Sequence, residues 1–175
     1  MRKLSLSVAL MLNKTLIHSC LLLALLLLAW TTSPPGAAAG EIDTLTTGQV
    51  IYVPAYSHIY IGNNEQPFLL TVTLSIRNID PFNSITINVV DYYETQGQFL
   101  KHYLTTPVTL KPLGSLRYVV PERDKSGGSG ANFIVQWQAG KPVNAPIIES
   151  IMIGAKTQQG ISFTSRGQPI LPSDQ

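Results

Sequence analysis

Between Phe68 and Arg77 the chain alternates with period two. Phe68, Leu70, Val72, Leu74 and Ile76 fall on one side, and Leu69, Thr71, Thr73, Ser75 and Arg77 on the other. Successive side chains of an extended backbone leave opposite faces, so the pattern predicts one long, half-buried strand. Such a strand needs a second layer to cover its apolar face. After a turn over 78–84, where Asp80 precedes Pro81, the alternation resumes at Ile85, Ile87 and Val89. On that parity Asp91 continues the buried face, and a buried carboxylate needs partners. Glu94 to Gly97 predicts a tight hairpin with Gly97 at positive φ, and Phe99 to Leu104 the returning strand. Val108 and Leu110 lead into a turn at Lys111 to Gly114, and Leu116, Tyr118 and Val120 alternate again. Phe133, Val135 and Trp137 form one face of a further strand, and Ile147 to Lys156 and Gly160 to Arg166 read as a closing pair.

No segment keeps helical spacing over three turns. The Tyr52, Tyr56, Tyr60 series contains Pro54 and β-branched residues, which resist a helix interior. Seven or eight short strands predict an all-β fold, an antiparallel immunoglobulin-like sandwich. The Cys–Trp–Cys pattern of true immunoglobulin domains is absent, so the likeness is one of architecture.

The first residues follow a different logic. Arg2, Lys3 and Lys14 precede an apolar run from Leu16 to Trp30, and Ala37, Ala38 and Ala39 follow Pro34, Pro35 and Gly36. A basic start, a short apolar core and a small-residue site describe a secretory signal helix cleaved after Ala39. A retained anchor is the alternative, but spanning about 30 Å of hydrocarbon takes roughly 20 helical residues. The expected organisation is therefore signal peptide 1–39, linker 40–47, sandwich 48–167 and frayed tail 168–175. Export to the periplasm or beyond follows.

Of 12 Lys+Arg and 10 Asp+Glu, three basic residues precede residue 40. Nine basic side chains then face ten acidic ones in the mature part, a net charge of −1. A nearly neutral domain lacks the basic footprint that nucleic acid requires. Membrane contact is expected only through an uncleaved N-terminal segment. The one cysteine, Cys20, leaves with the signal, so no disulfide, thiol nucleophile or Cys-based zinc site is expected. His-x-x-x-His spacing and acid-rich loops are missing too, and neither a metal nor another cofactor is expected.

Four places carry candidate chemistry. In Gln49 to Ile61, read as extended chain, Tyr52, Tyr56, His58 and Tyr60 share a face that could stack on a sugar or a peptide. The structural alternative is an edge strand whose tyrosines cover the core, with Pro54 where no ladder donor is needed. The glycine loop holds Ser126, Ser129 and Asn132. Its amides could cradle an anion, although a strand rather than a helix follows, and Asn132 could cap the turn. A triad of Ser126 or Ser129 with His58 or His102 and an aspartate can be drawn, but no spacing selects it. Glu149 and Arg166, on neighbouring strands, form an ion pair in one reading; in the other, Arg166 clamps a carboxylate ligand.

Six phrases taken together resemble a known family: Tyr52 to Tyr60 (YVPAYSHIY), Thr73 to Asn78 (TLSIRN), Val90 to Tyr93 (VDYY), Ser126 to Phe133 (SGGSGANF), Pro146 to Glu149 (PIIE) and Gln159 to Arg166 (QGISFTSR). The family comprises secreted bacterial domains, from cyanobacteria and proteobacteria among others, known as a domain of unknown function. The resemblance implies bacterial export and a single domain, and carries no catalytic residue or cofactor. The expected function is a non-catalytic module binding a protein, peptide or glycan. Its expected surface comprises Tyr52, Tyr56, His58, Tyr60, Asp91, Ser126, Ser129, Asn132 and Arg166, gathered near one end of the sandwich. A hydrolase built on a His–Asp pair and a structural envelope component are the alternatives.

Overall fold

The computed structural model describes residues 45–63, 65–156 and 159–171. The expected signal segment and its anchor alternative lie outside the described residues. The strands are β1 (Thr46–Pro54), β2 (His58–Tyr60), β3 (Pro67–Leu69), β4 (Thr71–Arg77), β5 (Ile85–Tyr93) and β6 (Phe99–His102). β7 (Val108–Leu110), β8 (Ser115–Val120), β9 (Asn132–Val143), β10 (Ile147–Lys156), β11 (Gln159–Arg166) and β12 (Gln168–Leu171) follow. The larger sheet runs β12-β1-β9-β5-β6, with β7 also on β5; the smaller runs β11-β10-β4-β8; β2 and β3 form a ribbon. The pairing is antiparallel throughout. The two-layer, all-β sandwich expected from the alternation is the fold observed.

Phe68, Leu70, Val72, Leu74 and Ile76 are all buried. The single long strand expected there nevertheless breaks at Leu70. Its amide donates to the Ser57 carbonyl at 2.9 Å, so β3 pairs with β2 while β4 enters the smaller sheet. The backbone stays extended through the switch, which preserves parity while the partner changes. Alternation reports the face, not the neighbour. The strand count also exceeds the expected seven or eight, because pieces of three or four residues are too short to alternate visibly.

A bulge between Ile87 and Val89 corrects the expectation for Asp91. One extra residue reverses the parity of everything after it. Ile85 and Ile87 point inward, and then Val90 and Tyr92 do. Asp91 is turned to the outer face. A second correction concerns the tail: Gln168 to Leu171 pairs with β1, matching Tyr52 to Gln168 and Val50 to Leu171.

The core fills from both inner faces, with Val53, Phe133 and Tyr92 aligned across the larger sheet and Leu74 and Met152 among those from the smaller. Its two ends are closed by polar devices at opposite ends of β5. Before β5, Asp80 is 4% exposed and accepts from the Phe82 and Asn83 amides at 2.9 and 2.8 Å and from Asn83 Nδ2 at 2.9 Å. Its other oxygen accepts from the Asn144 amide at 3.2 Å and its Nδ2 at 3.3 Å. The Phe82 amide holds the carboxyl below its ordinary range; burial opposes it, and the Asn144 and Asn83 donors add to it.

At the far end of β5 the glycine loop is tied down from two sides. The Ala55 and Ser57 amides donate to the Ala131 and Gly128 carbonyls at 2.8 and 2.9 Å. Thr95 Oγ1 donates to the Gly127 carbonyl at 2.9 Å and accepts from the Gly130 amide at 3.1 Å. Beneath the loop, Ser57 Oγ and Tyr92 Oη share a buried hydrogen bond of 3.0 Å. Burial raises the Tyr92 phenol above its usual range.

Candidate functional site

Register decides which outward side chains become neighbours. Across the larger sheet, Gln168, Tyr52, Ile134, Asp91 and His102 lie in one row, on β12, β1, β9, β5 and β6. At strand spacing that row is about 19 Å wide. The next row holds Pro54, Asn132, Tyr93 and Phe99, and the row on the other side Val50, Gln136 and Val89. Because Phe133, Val135 and Trp137 point into the core, Asn132, Ile134, Gln136 and Gln138 must point out.

At the β5–β6 end of this face the side chains touch one another. His102 Nδ1 donates to Asp91 Oδ1 at 2.7 Å, with the imidazole 64% and the carboxylate 16% exposed. The Phe99 ring lies 4.3 Å from the His102 ring and 5.7 Å from that of Tyr93, centroid to centroid. Phe99 remains 46% exposed. Tyr103 seals the margin from below, against Tyr92, Phe133 and Tyr118, with Lys101 Nζ 4.4 Å over its ring. Burial, then Tyr92 and Asp124, push its phenol up to about 12. The result is an aromatic strip beside amide and carboxylate groups. Rings of this kind offer apolar area at low entropic cost, and the amides and Asp91 supply donors and acceptors.

Tyr52, Asp91 and Asn132 share this face. Tyr56 does not: the chain leaves the ladder after Pro54, and Tyr56 packs edge-on to Phe163 at 5.8 Å, covering the core. His58 and Tyr60 bond to each other on the β2–β3 ribbon, Nε2 to Oη at 3.2 Å, with Tyr60 55% exposed. Ser126 donates its hydroxyl and its amide to Asp124 Oδ1 at 2.6 and 3.0 Å, and Ser129 lies in the 3-10 turn of the loop. The drawn triad is not assembled, since among the described residues neither serine hydrogen-bonds a histidine: Ser126 bonds Asp124, while His102 bonds Asp91 and His58 bonds Tyr60. Arg166 projects from the smaller sheet. It faces Glu149 across the ladder, yet the expected ion pair is not formed. The tyrosine segment, the glycine loop and the Gln159 to Arg166 hairpin do meet, through the Ser57–Gly128 bond and the Tyr56–Phe163 contact.

A family model described as "Protein of unknown function (DUF3124)" matches residues 48–170. The chain belongs to the DUF3124 family. The matched span of this DUF3124 chain runs into β12 and takes in every residue of the aromatic face. No curated protein matches the chain. Among solved structures, the crystal structure of Thermotoga maritima 1070 is similar at 12% identity. The match covers 72% of the DUF3124 chain and 97% of the other, with a TM-score of 0.41. Sequence reading missed Tyr93 and Phe99 as site residues of the DUF3124 domain, whereas Asp91 belongs to the expected surface and Asp91 with His102 is one of the His–Asp pairs the hydrolase alternative allows. The signal for the pair was the hairpin at Glu94 to Gly97, which folds β6 back on β5. The bulge at Ile87 to Val89 concealed its outward direction.

Proposed function

We propose that this DUF3124 protein is an exported, non-catalytic recognition module of the bacterial envelope whose ligand is a carbohydrate chain lying across the outer face of the larger sheet. Export rests on the signal-like first 39 residues. The ligand class rests on one observation: the contiguous rings of Tyr93, Phe99 and His102, in register with Asp91, Asn132 and Tyr52, on a broad open sheet. Sugar rings present apolar C–H faces that stack on aromatics and hydroxyls that pair with amides and carboxylates. A peptide strand would instead seek an unpaired ladder edge. In a pull-down on envelope polysaccharides, Phe99→Ala and His102→Ala should each weaken binding at least about tenfold, roughly 1.4 kcal/mol, while the circular dichroism spectrum is unchanged. Retention identical to the parent chain would refute the reading.

The 2.7 Å Asp91–His102 contact supports a second reading, a hydrolase in which Asp91 orients His102 as general base. That reading requires release of reducing ends from the same polysaccharides and its loss in His102→Gln.

A further inference from the structure

We infer that a groove on the opposite margin of the sandwich, where β12 and β1 meet β10 and β11, binds a carboxylate carried on a short apolar group. The inference goes beyond the carbohydrate reading and concerns a different place. The groove encloses about 260 Å³ and is lined by Ile51, Ile147, Ile148, Pro146 and Pro169, with Gln49, Arg166 and Gln168 as its hydrogen-bonding side chains.

The backbone explains why the groove is open. At Gly167 the chain passes from β11 of the smaller sheet to β12 of the larger, and its amide donates to the Ile148 carbonyl at 2.8 Å. A Cβ there would lie 2.5 Å from Ile51 Cγ2 and 3.0 Å from the Ile148 carbonyl oxygen. Only glycine lets the two sheets close so tightly beneath the groove. The residues on either side of it, Arg166 and Gln168, are exposed.

The charge explains the ligand. Arg166 has no ion pair among the described residues, although Glu149 stands directly opposite in the ladder. The next ladder partners along that row are Ser75 and then Arg117, and Arg77 Nε donates to Ser75 Oγ at 3.1 Å. Three arginines thus share the outer face of the smaller sheet with one glutamate, and the guanidinium at the groove is not neutralised. A guanidinium matches a carboxylate by paired donors, the two glutamine amides supply further donors, and the isoleucine and proline surface takes an apolar group. The volume falls below that of drug-sized sites and suits one side chain or a short acyl chain.

The full-length, ¹⁵N-labelled chain would be titrated with N-acetyl-leucine, N-acetyl-leucinamide and hexanoate, reading amide shifts. N-acetyl-leucine should give saturable shifts at Gln49, Ile148 and Gly167, with its uncharged amide at least tenfold weaker. Arg166→Gln should erase that difference and Arg166→Lys should keep part of it. Tighter binding of N-acetyl-leucine than hexanoate supports a peptide C-terminus as the source of the carboxylate, and the reverse order supports an acyl chain. Acid and amide binding alike to the parent chain, an absence of saturable shifts, or an unchanged preference in Arg166→Gln would overturn the site. None of these results bears on binding at Phe99 and His102.

Discussion

Gly127→Ala should be among the most destabilising single methyl additions this domain can receive. A Cβ at that position would sit 1.9 Å from Tyr92 Oη and 2.7 Å from Ala131 Cβ. Tyr92 cannot yield, because its ring is packed 4.8 Å from that of Phe133 and it is 1% exposed. The loop cannot lift without breaking its bonds to Ser57 and Thr95. Overpacking together with loss of the Ser57–Tyr92 bond should cost about 3 kcal/mol, a fall of roughly 10 °C in Tm. Thermal unfolding followed by circular dichroism reads this directly. Tyr92→Phe, which removes the obstructing oxygen, should restore part of the loss in the double variant. A Gly127→Ala protein melting with the parent would mean that the loop is not seated as described.

The second large effect belongs to Asp80. Five donors converge on its two oxygens, and Asp80→Ala leaves them facing a vacated site at the end of the core. A loss of roughly 10 °C or more in Tm is expected. Acid adds a signature. The folded carboxyl titrates below its unfolded value of 3.8, so its contribution to stability is present above that value. It is lost as the pH falls through the lowered folded value. The parent chain should therefore lose stability more steeply than Asp80→Asn on acidification below pH 3.8. Parallel stability–pH curves for the two proteins would contradict this.

Alternation in the sequence was enough to read the sandwich and the inward set from Phe68 to Ile76, because burial on one face imposes period two whatever the partner strand. It failed where a local irregularity resets parity. The bulge after Ile87 turned Asp91 from an expected core residue into a surface one, and nothing in Thr86-Ile87-Asn88-Val89 marks an extra residue. The Tyr52 to Tyr60 stretch reads as one extended face, but the chain changes sheets between Pro54 and His58. That change sends Tyr52 to the open sheet, Tyr56 to the core margin and Tyr60 to a separate ribbon. Asp80 was read as part of a turn from the Asp-Pro step, while its bonds to Asn144 depend on a partner 64 residues away. Arg166 opposite Glu149 was legible from the final hairpin. The absence of their ion pair was not, since ladder neighbours share a face without their charged tips having to meet.

Hydroxyl-radical footprinting in the presence and absence of a retained envelope polysaccharide tests the recognition face most directly. Phe99, His102 and Tyr93 should become protected when the polysaccharide binds, and Tyr60 on the ribbon should react as before. Protection of His58 and Tyr60 with Phe99 left fully reactive would place the ligand on the ribbon and contradict the account.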